Sequence, residues 1–160
     1  MLKFYNFDIV CQEIPDEITL AINLTNCPNR CEGCHSPWLR KDIGDELDVN
    51  EISQLLGKYG SGVTCICFMG GDAEPSEVNR LAKYIHSEYP QLKTAWYSGR
   101  SEIPEDIEKS SFDYIKLGGY VASLGGLRSE TTNQRLYKIE NGEMTVMKFQ
   151  SKNFAGSDVK

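Results

Sequence analysis

No run of 18 apolar residues occurs in this 160-residue chain, and the opening MLKFYNFDIV has no basic segment leading into a long apolar stretch. Both absences argue against a spanning helix and an export signal, and the expectation is a cytoplasmic protein with no membrane partner. Basic clusters are missing too: 17 Lys and Arg are scattered among 23 Asp and Glu, for a net charge of -6. Nothing supplies the positive patch that nucleic-acid binding needs, so a nucleic-acid partner is disfavoured. With only two histidines, His35 and His86, the chain offers no convincing catalytic triad. Repeats and low-complexity segments are absent. What remains is an ordinary globular balance, 40% hydrophobic and 25% charged. The length suits one domain, expected over residues 1–150, with a frayed tail at 151–160 rich in Ser, Lys, Asn, Gly and Asp.

Apolar runs rich in β-branched and aromatic residues alternate with helical patterns, the order of βα units on a largely parallel sheet. Strands are expected at residues 17–24, 63–69, 93–99 and 112–118. Between them, Val49, Ile52, Leu55, Leu56 and Tyr59 recur at helical spacing, with Asp48 and Glu51 in capping-box positions. Val78, Leu81, Ala82 and Ile85 mark a second helix that Pro75 is placed to start, and residues 104–110 read as a short third. The strand ends MGGD, YSGR and KLGG each carry a Gly-containing turn. Ligands of open parallel sheets bind beyond the carboxyl ends of the strands, so these turns are expected to share one site. Farther on, Asn141-Gly142 between two apolar alternating runs signals a tight hairpin.

The loop NCPNRCEGCH, residues 26–35, gathers three of the six cysteines. In a cytoplasmic chain a tight cluster of this kind points to metal binding or catalysis before a disulfide. Cys31-Glu-Gly-Cys34-His35 matches C-x-x-C-H haem attachment literally, yet that modification is extracytoplasmic and leaves Cys27 idle. Zinc would find four donors in Cys27, Cys31, Cys34 and His35, but adjacent residues cannot easily aim at one tetrahedral ion. A redox pair of Cys31 and Cys34 again leaves Cys27 surplus. A 4Fe-4S cluster uses three cysteines for three irons and leaves the fourth open for a small ligand. Elsewhere, Cys65 and Cys67 share one face of an expected buried strand and read as core, Cys11 as structural, and His86 as solvent-facing.

With C-x3-C-x2-C after a first strand, the MGGD turn and the late TTNQRLY, the chain resembles the radical S-adenosylmethionine superfamily. Within it, the likeness is to activating proteins of anaerobic (class III) ribonucleoside-triphosphate reductase, and it covers residues 18–137. The resemblance implies a partial, open βα barrel and a 4Fe-4S cluster on Cys27, Cys31 and Cys34. S-adenosylmethionine would chelate the open iron. Gly70, Gly71 and Asp72 match the GGE turn that meets its methionine amino group, chiefly through backbone oxygens, with Asp here in place of Glu. Gly33 and His35 flank Cys34 and would lie near the adenine; Tyr97, Ser98 and Lys116 end later strands and are further candidates. The implied reaction is reductive cleavage to a 5′-deoxyadenosyl radical that takes hydrogen from a glycine of the reductase large subunit. A flavodoxin-like donor would supply the electron. Residues 128–135, with Asn133 and Arg135, are suggested to dock the reductase or close the site. The competing readings are an activase of another glycyl-radical enzyme and a structural metal-binding module.

Overall fold

The computed structural model describes residues 1–11, 13–29, 37–119, 121, 123–125, 129 and 131–147. Eight strands form one sheet: β1 (Lys3–Cys11), β2 (Ile18–Leu24), β3 (Asp45–Glu46), β4 (Cys65–Met69), β5 (Lys93–Tyr97), β6 (Tyr114–Leu117), β7 (Arg135–Glu140) and β8 (Glu143–Met147). Their order is β3-β1-β2-β4-β5-β6-β7-β8. The four apolar runs expected from the sequence are the neighbours β2, β4, β5 and β6, and they pair in parallel. Flanking them, β1 lies antiparallel on β2 and β7 antiparallel on β6. The fold is therefore α/β with a mixed sheet, parallel in its middle only. Antiparallel neighbours need no crossover helix, which is why the described residues build eight strands with few helices.

Helix α1 (Val49–Tyr59) starts where Asp48 accepts a hydrogen bond from the Glu51 backbone N–H at 2.9 Å. This side-chain cap satisfies one of the amide groups that every helix start leaves unpaired. Helix α2 (Pro75–Glu88) opens on Pro75, whose fixed φ and missing N–H suit a first turn. Ile52, Leu55 and Leu56 of α1 and Val78, Leu81, Ala82 and Ile85 of α2 are buried in one cluster with Leu20, Ile22, Ile66, Phe68, Trp96 and Ile115. Both helices thus cover the same sheet face. The third helix expected at 104–110 is not formed. That segment is a turn followed by a single 3-10 turn at Lys109–Ser111. Asn79 of α2 accepts from the Glu108 backbone N–H at 2.9 Å and donates to its carboxylate at 3.3 Å, holding Glu108 in extended backbone between the two turns.

The opposite, inner face carries Cys65, Cys67, Ala95, Tyr97, Tyr114 and Leu136, packed around a fully buried Ile14 from the β1–β2 connection. The two cysteines are core residues, as their shared face implies. At the hairpin, Asn141 and Gly142 both have positive φ, 53° and 81°, as a type I′ turn between β7 and β8 requires.

Candidate functional site

Because β2, β4, β5 and β6 run in parallel, their carboxyl ends lie along one edge. The sheet therefore brings together Cys27, the 70–72 turn, the 98–100 turn and the 118–119 turn. After β2, Thr25 is tied by its backbone N–H to Lys3 O (2.9 Å) and by its hydroxyl to Ile43 O (2.6 Å). Asn26 takes a positive φ of 58°, and the Cys27 backbone N–H then donates to Leu39 O at 2.9 Å. The chain turns sharply here, and the Cys27 thiol, half-buried, faces Asn29 O at 3.9 Å. Residues Cys31, Gly33, Cys34 and His35 lie outside the described residues, and so does Arg128. Among the described residues no three His, Cys, Asp or Glu side chains converge as a metal site.

Gly70 and Gly71 have φ of 105° and 88°, backbone that only glycine adopts without strain. A Cβ on Gly71 would lie 2.6 Å from Val78 Cγ2 and 2.8 Å from Leu24 Cδ1, so this glycine is also required by packing. Gly70 donates its N–H to Tyr97 O (2.9 Å), and its carbonyl accepts from the Trp96 indole N–H (2.6 Å). Asp72, 2% exposed, is the hub of the edge. Its Oδ1 accepts from the Ser98 hydroxyl at 2.5 Å, and its Oδ2 accepts from Asn29 Nδ2 at 2.5 Å and the Gly99 backbone N–H at 2.8 Å. Arg100 donates to the Asp72 carbonyl at 2.8 Å.

Of the later candidates, Ser98 is thus bound to Asp72. Tyr97 lies on the inner face, where its hydroxyl donates to Glu13 O at 2.9 Å. Lys116 stands 5.6 Å from the Tyr97 ring centroid and donates to Gly118 O at 3.0 Å. Asn133 of the TTNQR segment donates to Gly119 O, while Arg135 donates to the carbonyls of Thr132 and Gln134. The segment expected to meet a partner is therefore also bound to the last turn of the edge. Sequence reasoning missed Asn29, Trp96 and Arg100 as organisers. Asn29 sits within the cysteine loop, and its polar amide between two ligand candidates was the available signal.

At the amino end of the same strands a second acidic centre occurs. Burial pushes the Glu17 carboxyl upward, but hydrogen bonds from Lys93, Thr64 and Tyr114 outweigh it and hold the group below the usual carboxylate range. His86, expected to face solvent, is partly exposed, and its ring also bonds Asp113 Oδ2 (3.0 Å) and Thr94 Oγ1 (2.8 Å); the Asp113 bond raises its pKa.

No family model matches the chain, and no solved structure matches it. Among curated proteins, a Dicer-like protein 2-2 of Aspergillus niger is 23% identical over 104 residues. That is 65% of this chain, which spans about 7% of that protein's length. A likeness so partial assigns no family. No helix among the described residues is long and apolar enough to cross a membrane.

Proposed function

We propose that the chain is a radical S-adenosylmethionine enzyme that activates an anaerobic ribonucleoside-triphosphate reductase, and that its sheet is a partial, open βα barrel of that superfamily. One observation carries the reading: the cysteine loop leaves β2 at the same edge as the Gly70-Gly71-Asp72 turn and is hydrogen-bonded to it through Asn29. The donor set fits a 4Fe-4S cluster by its chemistry. Cys27 contributes a half-buried thiol at that edge, and with Cys31 and Cys34 it would supply three thiolate ligands to such a cluster. When bound, the cluster and S-adenosylmethionine supply an electron and a hydrogen-abstracting radical.

The protein's part is to hold and orient. The Gly70 carbonyl accepts from Trp96, and its second lone pair would suit an ammonium donor. Gly33 and His35 would border the adenine, and Lys116 and Tyr97, near the carboxyl ends of β6 and β5, would stand behind the same edge. Among the described residues both helices pack on the other face. The inner face is packed around Ile14, so the loop of a macromolecular partner would approach at the turns of the carboxyl edge beyond it. A cytoplasmic setting and a flavodoxin-like donor belong to the same proposal.

The test is anaerobic. The protein is reconstituted with iron and sulfide, reduced with dithionite and given S-adenosylmethionine. The expected result is 5′-deoxyadenosine from the wild type, none from Cys31→Ala, and a glycyl radical signal when the reductase is added. Uptake of one zinc with no sulfide and no cleavage would overturn the reading in favour of a structural knuckle.

A further inference from the structure

The Asp72 carboxylate is almost wholly buried, and both its oxygens are engaged by this chain's own donors. A side chain in that state is occupied by the protein before any ligand arrives. Three of its donors come from two different loops: Asn29 from the cysteine loop, and Ser98 and Gly99 from the turn after β5. A fourth group, Arg100, closes the arrangement by binding the Asp72 carbonyl and by placing Nε 4.0 Å from Oδ1. The fit is tight. A Cβ on Gly99 would lie 2.5 Å from Asn29 Nδ2 and 3.3 Å from Asp72 Oδ2, so the absence of a side chain at 99 is what lets Asn29 reach the carboxylate.

We propose that Asp72 is a positioning residue: its side chain clamps Asn29 against the Ser98–Gly99 turn and thereby fixes the start of the cysteine loop relative to the strand ends. This rests on the reading of the edge as a cluster and S-adenosylmethionine site, but assigns the carboxylate to the loop and not to the cofactor. A shape consequence follows for the Asp in MGGD. Glu would carry its carboxylate about 1.5 Å farther, one carbon–carbon bond, into the Asn29 amide and the Gly99 N–H. Asp72→Glu is therefore disruptive in this chain, even though it restores GGE.

The variants are Asn29→Ala, Asp72→Ala, Asp72→Glu, Asp72→Asn and the Asn29→Ala/Asp72→Ala double. Asn at 72 keeps an oxygen for Asn29 and Gly99 and presents its NH2 to the Ser98 hydroxyl, so it is the conservative rescue. The first readout needs no cluster: the iodoacetamide alkylation rate of Cys27 in metal-free protein, by mass spectrometry, with buried Cys65 and Cys67 as internal probes of folding. Losing a hydrogen bond to a charged acceptor is expected to raise that rate about tenfold in Asn29→Ala, Asp72→Ala and Asp72→Glu. The double variant should react no faster than Asp72→Ala, and Asp72→Asn should stay close to wild type. The second readout is the shift in the reduced cluster's electron paramagnetic resonance on adding S-adenosylmethionine, which should be lost in the same three variants and kept in Asp72→Asn. A wild-type Cys27 rate in Asn29→Ala overturns the clamp. If Asp72→Ala exposes Cys65 and Cys67, it has unfolded, and Asn29→Ala decides alone. A wild-type protein that forms no cluster while the alkylation pattern holds overturns the functional reading and leaves the clamp standing.

Discussion

Gly71→Ala isolates what the fold itself demands of the 70–72 turn. The residue sits at φ 88°, where an L side chain meets the adjacent carbonyl at a cost of about 1–2 kcal/mol. Its Cβ would also approach Val78 Cγ2 to 2.6 Å and Leu24 Cδ1 to 2.8 Å. Both neighbours are fully buried, and Val78 is β-branched on a helix with one favoured rotamer, so neither yields freely. Overpacking of this sort costs about 1–3 kcal/mol, and the two effects sum to about 2–5 kcal/mol. With a urea slope of about 2 kcal/mol per M, the unfolding midpoint should fall by about 1–2.5 M with the slope unchanged. The matched control is Gly57→Ala in α1, where nothing lies within 4 Å of the added Cβ and helix propensity should gain about 0.5–1 kcal/mol. Equilibrium urea denaturation followed by circular dichroism reads both. A Gly71→Ala midpoint within about 0.3 M of wild type would refute the packed, left-handed turn.

His86 should titrate above its ordinary 6.5 because Asp113 stabilises the imidazolium, and Asp113→Asn should bring it down, as proton NMR of the ring will record. Its contribution to stability is complete below pH 6.5 and is lost as pH rises through the raised folded value. Glu17→Ala removes the shared acceptor of Lys93, Tyr114 and Thr64 and should cost about 1–3 kcal/mol in chemical denaturation. With the Glu17 carboxyl held below its usual range, that contribution is full above pH 4.5 and fades as pH falls through the lowered value. An acid-unfolding midpoint identical in Glu17→Gln and wild type would contradict it. Under native conditions iodoacetamide should modify exposed Cys11 and spare Cys65 and Cys67, whose burial both hides them and pushes their thiols up; modification of either before unfolding would contradict the packed inner face.

The elements legible in the sequence were those fixed by local patterning. Val78, Leu81, Ala82 and Ile85 are spaced for one helical face, and they land buried on one. The cap at Asp48, the Pro75 start and the Asn141-Gly142 turn are chemistry within a few residues, and each forms. Non-local demands were not legible. Residues 104–110 have helix-compatible spacing but form a turn and the start of a 3-10 turn, with Glu108 between them held by Asn79, which lies more than 20 residues earlier. His86 has polar sequence neighbours, yet its partners Thr94 and Asp113 belong to the ends of strands that the helix crosses. Of the candidate site, the glycine turns could be placed at one edge from strand order alone. The hydrogen bonds that Asn29, Trp96 and Arg100 make across that edge could not, since each joins segments more than 25 residues apart.

Glu17 and Asp72 are the buried acidic residues among those described, and their partners separate their roles. Glu17 is held by Lys93 and Tyr114, both on strands, and by Thr64 one residue before β4. Those groups are already positioned by the backbone ladder, so Glu17 joins strands that would be neighbours without it, at the amino ends where open parallel sheets place no ligand. Asp72 is held by Asn29, Ser98, Gly99 and Arg100, all in segments beyond strand ends. No ladder aligns such segments, and a buried carboxylate linking them does so against their conformational entropy. A fold that needed only stability could have spent the same carboxylate on regular structure, as it does at Glu17. Placing it between loops at the carboxyl edge instead defines the shape of that edge, which is what the proposed cofactor site would require.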